Sequence, residues 1–546
     1  MLTSEQGSSI AKVLLIAVTL VYLAGVGSSV SHAAVFDVTN SASSGAGSLR
    51  AAIDAANANG VPDVITFGAT TELAGCPFVI TLADADGQLP RLTDPGTTID
   101  GTACGVTLDG SGLTNATSDG LRVRASNTVI RGLTIRNFPQ DGMRIQPEAG
   151  ANLTVTGVVI TKNVFSGNLD GLRVSGGDGP GNMVSATIAN NQFIENRDDG
   201  IRVDGSFGDS TDGGNKVRVV ISNNLVEGSA GVVTGGATTG DGIRVFGGPG
   251  SSGRGANGGN EVVAIISNNE TRNNVDDGIL VAGTGSGNAS NHTVFAKIVG
   301  NKTVNNGAPA STAANGIVVR GGSTEDTGPF GSRNTVVFLV ADNESERNKD
   351  DGIRIAGGLG DHHFVRGVAS NNKMDRNGLR GISVSGSDGT DNTLKDIDIV
   401  DNDVNRSGDA GIRVAGGGGG NAALSNITIK GNKSKLNEEH GIEVLLGAGG
   451  GNVVSLLGIT DNATNQNRRD GIFVGAGVSG SGSTPVSANQ AIANREDGID
   501  LNSTGYVVIA NEVKGSIGAG IDAVGNIDGG GNFAVGNGSC NTPGCF

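Results

Sequence analysis

From about residue 119 onward, apolar and polar positions alternate in short runs separated by turns rich in Gly and Asn. One repeat displays the pattern. Gly411-Ile412-Arg413-Val414 leads into a glycine-rich turn, then Leu424-Ser425-Asn426-Ile427-Thr428-Ile429, and then, past Gly431-Asn432, the short piece Lys433–Leu436. Alternation of period two sets Ile412 and Val414 on one face and Arg413 on the other. Three short strands per repeat, with no helical period, predict an all-β coil of three parallel sheets. Ile and Val fill its axis and polar side chains face water.

The repeat carries its own marker, Asn-x4-Asn-x3-Gly, as in Asn343/Asn348/Gly352. The same spacing recurs at Asn191/Asn196/Gly200, Asn269/Asn274/Gly278, Asn372/Asn377/Gly381, Asn432/Asn437/Gly441, Asn462/Asn467/Gly471 and Asn489/Asn494/Gly498. Serine replaces the second Asn in Asn402/Ser407/Gly411 and Asn511/Ser516/Gly520. At a bend, an Asn amide bonds local backbone and stacks on its counterpart one rung away, so these positions predict ladders. The marker glycines run from Gly120 to Gly520 in steps of 22 to 30 residues, except that the steps linking Gly200, Gly242, Gly278, Gly316 and Gly352 are 42, 36, 38 and 36. The extra length is assigned to turns at 204–216, 246–260, 282–292 and 320–334, which should stack into one raised wall. Long ordered loops commonly carry function.

The two ends differ from the middle. Residues 1–33 read as a signal peptide, with Lys12, an apolar run Val13–Gly27 and small residues at Ser31-His32-Ala33. That run is short of the ~20 residues that span a bilayer, and no later segment replaces it, so the expected mature chain is exported and without a transmembrane segment. Residues 34–118 read as an N-terminal cap. Its one short helix presents Leu49, Ala52, Ile53 and Ala56 on a single face, is capped by Ser48, and stops at Gly60 and Pro62. Such a helix covers a first rung that would otherwise expose unpaired backbone. The repeats then occupy 119–520 and a C-terminal cap 521–546. In an exported chain, Cys76, Cys104, Cys540 and Cys545 point to disulfides, most simply Cys76–Cys104 and Cys540–Cys545. The spacing lacks the Cys-x2-Cys pair of a zinc site.

The formal charge of −16 opposes binding to nucleic acid or anionic membrane. With no Trp and two Tyr there is little aromatic platform for stacking bases. The candidate chemistry lies beside the marker glycines. An Asp precedes the Gly at Asp119, Asp141, Asp170, Asp199, Asp241, Asp277, Asp351, Asp470 and Asp497, with a second Asp at Asp198, Asp276 and Asp350. Two residues beyond the Gly stand Arg122, Arg144, Arg173, Arg202, Arg244, Arg354 and Arg413. Rungs ~4.8 Å apart would set like charges in columns, so each Arg column needs the Asp column beside it. Leu280 and Val318 take the Arg position in two rungs, leaving Asp276 and Asp277 without an Arg in their own strand. Asp198, Asp199, Arg202, Asp241, Arg244, Asp276, Asp277, Asp350, Asp351 and Arg354 are therefore the candidate ligand or cation residues. Calcium is the candidate ion, and the expected centre is Asp241, Asp276 and Asp277. His362-His363 reads as a solvated loop pair.

Three stretches carry a resemblance. Gly47–Ile53 with Pro62–Phe67, Thr128–Ile135, and the ending Asp528–Asn537 resemble the cap, first rung and terminus of right-handed parallel β-helix repeat proteins of the pectate-lyase-like superfamily. The resemblance implies a right-handed three-sheet solenoid. It leaves function open, since that superfamily holds lyases, hydrolases, epimerases and adhesins. The expectation is a secreted or cell-surface module that engages extracellular polysaccharide or another surface. A polysaccharide lyase or glycoside hydrolase, and a structural or adhesive rod, are the alternatives.

Overall fold

The computed structural model describes residues 34–68, 76–207, 213–231, 233–234, 237–238, 240–249, 258–284, 290–307, 311, 314–322, 333–387 and 389–540. The proposed signal segment, Cys545 and much of the long turns lie outside them.

The chain is a right-handed parallel β-helix. Three parallel sheets of 17, 16 and 14 strands run its length, here called A, B and C. One rung contributes Lys216–Ser222 to sheet A, Leu225–Glu227 to sheet B and Ile243–Pro249 to sheet C. Each pairs in register with its counterpart in the next rung, as Ile221 with Ile266, Val226 with Thr271 and Val245 with Val281. Inward Ile, Val, Leu and Phe form one continuous core along the axis, in which Phe165 stacks on Phe193 with ring centroids 4.8 Å apart. Among the described residues there is one helix, α1 (Leu49–Asn59). Ser48 accepts the Ala51 amide at 3.3 Å and Gly60 closes the helix at φ 69°. Its apolar face packs on Val35–Val38 and Val64–Phe67, the first two strands of sheet A. The bond between Cys76 and Cys104 ties this cap together. Among the described residues no helix is long and apolar enough to cross a membrane.

Asparagine ladders hold the corners, two of them at the marker positions. Asn402 donates its amide N–H to Asn432 Oδ1 at 3.0 Å and its Nδ2 to Ala369 O at 2.9 Å, while its Oδ1 accepts from Asn372 at 2.9 Å. The second ladder includes Ser229 and Asn306, which the marker spacing hides because 230–240 and 307–314 separate them from Gly242 and Gly316. The ladder residues do not themselves occupy the left-handed region. The residue before each one does, including Leu436 at φ 60° and Ala488 at φ 54°. The marker glycines answer to a close approach: a Cβ at Gly120 would lie 2.2 Å from the Gly142 carbonyl oxygen.

The expected wall needs two corrections. Sheet C strands run on through Ser206 and Pro249, so the first two turns begin later than 204 and 246. Part of the added chain also falls on the opposite edge of sheet C, at 228–240, where Val233–Thr234 and Ala237–Thr238 pair antiparallel, and at 305–315. Insertions therefore flank sheet C on both sides.

Candidate functional site

Sheet C sets a column of outward residues in register: Arg122, Arg144, Arg173, Arg202, Arg244, Leu280, Val318, Arg354, Ser383, Arg413, Glu443, Phe473, Asp500 and Asp522. The Asp column stands beside it, and its side chains bind backbone from rung to rung. Asp199 accepts the Asp241 amide and Asp241 accepts the Asp277 amide, both at 3.0 Å, and Asn315 donates its amide to Asp277 at 2.7 Å. One carboxylate oxygen thus continues the backbone ladder and the other faces the arginines. Arg202 Nη1 lies 3.7 Å from Asp170 and 3.9 Å from Asp198, and Arg244 Nη1 lies 3.6 Å from Asp199.

This middle stretch is closed, where the sequence pattern predicts a solvated ladder. Asp199, Asp241, Asp277 and Asp351 are buried, and Arg202 is 7 % exposed. The outward side chains of Phe246, Leu280, Ala282 and Val318 form a separate buried apolar cluster. Phe207, from one of the long turns, lies over the guanidiniums of Arg144 and Arg173. Asp276, Asp350 and Arg354 are partly exposed. Burial, reinforced by Asp276 and Asp277, pushes Asp241 well above the usual carboxylate range, and burial with Asp277 takes Asp276 to about 8. Burial would raise Asp204 too, but Arg202, Arg173 and Arg244 hold it below its ordinary value. Asp241, Asp276 and Asp277 do converge, each offering an oxygen within 4.8 Å of the others, and so do Asp170, Asp198 and Asp199.

The column opens toward its C-terminal end. An alternation of basic and acidic side chains runs from Arg380 to Asp409 at 2.9 Å and Arg413 to Glu443 at 3.2 Å, and on to His440, whose Nδ1 accepts the Asp470 amide at 3.3 Å. Then the alternation stops. Asp497, Asp500 and Asp522 each bring a carboxylate oxygen within 4.8 Å of the other two. The adjoining cleft, about 540 Å³, is lined by His440, Glu443, Arg469, Phe473, Arg495 and Ile517 besides Asp497 and Asp500. Phe473 stacks on His440 with centroids 4.8 Å apart. Burial, with Asp470, Asp497 and Asp522 nearby, pushes Asp500 up to about 6. The sequence pattern marks Asp470 and Asp497 but misses Glu443, Phe473, Asp500 and Asp522. Counting two residues past each marker glycine, the rule that finds Leu280 and Val318, reaches all four. His363 also departs from expectation. His362 is exposed, but His363 is buried before a sheet A strand, where its Nδ1 accepts the Asn334 amide at 3.3 Å.

No protein-family model and no curated protein matches the chain. Among solved structures it is similar to the Dettilon tailspike protein, at 14 % identity and a TM-score of 0.37 over 76 % of this chain and 61 % of that one. It is also similar to the catalytic unit of a GH87 α-1,3-glucanase from Streptomyces thermodiastaticus, at 12 % identity and a TM-score of 0.44 over 78 % and 70 %. A third is the A-module of the Azotobacter vinelandii mannuronan C-5 epimerase AlgE4, at 14 % identity and a TM-score of 0.30 over 74 % and 90 %. The chain thus spans less than two thirds of the tailspike's length, and at these identities the likeness concerns the fold.

Proposed function

We propose that the protein engages polysaccharide through the outward face of sheet C, in the cleft of its last rungs. The observation that carries this reading is the meeting of Phe473, Arg469, Arg495, Asp497 and Asp500 in one open concavity, with Asp522 converging on the two acids. Saccharides offer hydroxyls to charged acceptors and donors, and a C–H face to an aromatic ring. A concave site with a few convergent polar groups suits such a ligand. The rungs of the middle column, being buried, serve in this reading as an internal charge ladder. The trio also has the donor set of a calcium site, oxygen-only and multiply carboxylate. Asp241, Asp276 and Asp277 form a second candidate seat. At Asp170, Asp198 and Asp199 the guanidinium of Arg202 already supplies the positive charge. The Cys76–Cys104 bond supports an oxidising, extracellular setting.

One observation favours an enzyme as second reading. A carboxyl raised to about 6 with further carboxylates beside it is the kind of group from which a glycosidase draws its general acid. Calorimetry of the purified protein against neutral and acidic polysaccharides, with and without calcium, tests the binding reading. Phe473→Ala and Asp500→Asn should each weaken binding about tenfold or more. Parent-like affinity in both folded variants would remove the cleft from consideration. New reducing or unsaturated ends, lost in Asp500→Asn, would establish turnover.

A further inference from the structure

The opposite end of the same face is basic, in a chain of net charge −16. Leu92 bridges to Val123, which sets Arg91 beside Arg122 and Arg124 at the start of sheet C, with Arg144 one rung on. Arg144 is taken up by Asp141 at 2.7 Å and Asp119 at 3.3 Å. Of the other three guanidiniums, two meet one carboxylate, Glu148, which lies 2.5 Å from Arg91 and 3.9 Å from Arg124. Arg122 makes no ion pair among the described residues; its Nη2 donates to the Leu89 carbonyl at 3.0 Å and its buried Nε has no hydrogen-bond partner. The Arg124 side chain is 8 % exposed, and its Nε likewise lacks a hydrogen bond, while its Nη1 donates to the Gln146 and Pro147 carbonyls. Glu148, by contrast, is 41 % exposed. The Arg91 side chain is 45 % exposed as well, so the positive charge held in the fold is that of Arg124, with Arg122 half-buried beside it, and the carboxylate that answers it hangs from the surface.

We infer that Arg91, Arg122 and Arg124 form a subsite for the carboxylate of an acidic saccharide, with Glu148 standing in that carboxylate's place until the ligand displaces it. Guanidinium forks suit the two oxygens of a carboxylate. Burial, with Arg91, Arg144 and Arg122 close by, brings Arg124 down to about 10, a strain that a fuller negative partner relieves. The choice of a saccharide rests on the cleft proposed above, which lies on the same face. Twelve rung steps of ~4.8 Å put the two sites ~58 Å apart, so a short ligand meets only one of them.

Trigalacturonate is the probe, titrated by calorimetry into the full chain at low salt. The parent should bind it, Glu148→Gln should bind about tenfold tighter because the internal competitor has lost its charge, and Arg122→Gln/Arg124→Gln should lose binding. Glu148→Gln keeps the test meaningful even if the arginine variant unfolds, because it reads a gain. An unchanged affinity in Glu148→Gln, no binding to either protein, or parent-like binding by the folded arginine variant would overturn the subsite. If neutral polysaccharides fail to bind while trigalacturonate binds as described, the cleft reading falls and this one stands.

Discussion

His292 and His363 stand at a corner position that Asn182, Asn215, Asn260, Asn334 and Asn392 fill in other rungs. Burial lowers both imidazoles from 6.5 to about 4, so the folded protein holds them neutral. Below pH ~6.5 the unfolded chain takes up protons that the folded one refuses until pH ~4. Stability is thus complete above 6.5 and falls across that window, by up to about 3 kcal/mol per histidine. His292→Asn should flatten the fall in the urea midpoint between pH 6.5 and 4, and an equally steep fall in the variant would refute the assignment. Asp276 has the opposite sign. Its carboxyl, raised to about 8 by burial and Asp277, contributes stability that is present at low pH and lost as pH rises through 8. Asp276→Asn should gain on the parent progressively as pH rises from about 4 to 8 and hold that gain at pH 9. Water reaches this partly exposed group, so the gain should be roughly 1–2 kcal/mol by denaturant titration.

At the scale of the element, the corner is the unit of stability. Asn402→Ala would strand the Asn372 amide and the Ala369 carbonyl inside the corner, and should cost about 3 kcal/mol in chemical denaturation. A loss under 1 kcal/mol would mean water replaces the side chain freely. Leu436 marks the reverse case. It holds φ 60° with its side chain 40 % exposed, so little packing offsets the left-handed backbone. Leu436→Asn should raise stability by about 1 kcal/mol. The same corners explain why the repeat is legible in sequence and some rungs are not. Asn-x4-Asn is imposed by adjacent corners, whereas the distance from the second Asn to the marker glycine is free to grow at 228–240 and 305–315.

For the whole molecule, the sixteen steps of sheet A give a rod ~77 Å long at ~4.8 Å per step. Small-angle scattering should return an elongated particle of that length; a compact one would contradict the solenoid. What the sequence alone determined is local in origin. Period-two alternation selects strands, Asn and Gly place the corners, and Ser48 with Gly60 bounds the helix. Each signal lies within a few residues of the feature it specifies, so the three-sheet coil, its cap and the Cys76–Cys104 pairing were readable. The columns were readable too, because constant rung spacing turns position after a glycine into position in space. Which part of the column meets solvent was decided by tertiary structure. Asp199 and Asp500 carry the same side chain on neighbouring columns of one sheet, yet one is sealed and the other lines a cleft. Their difference comes from residues brought alongside by the winding of other rungs. Burial, and with it charge state and access, is a property of those neighbours and not of the strand that carries the carboxylate.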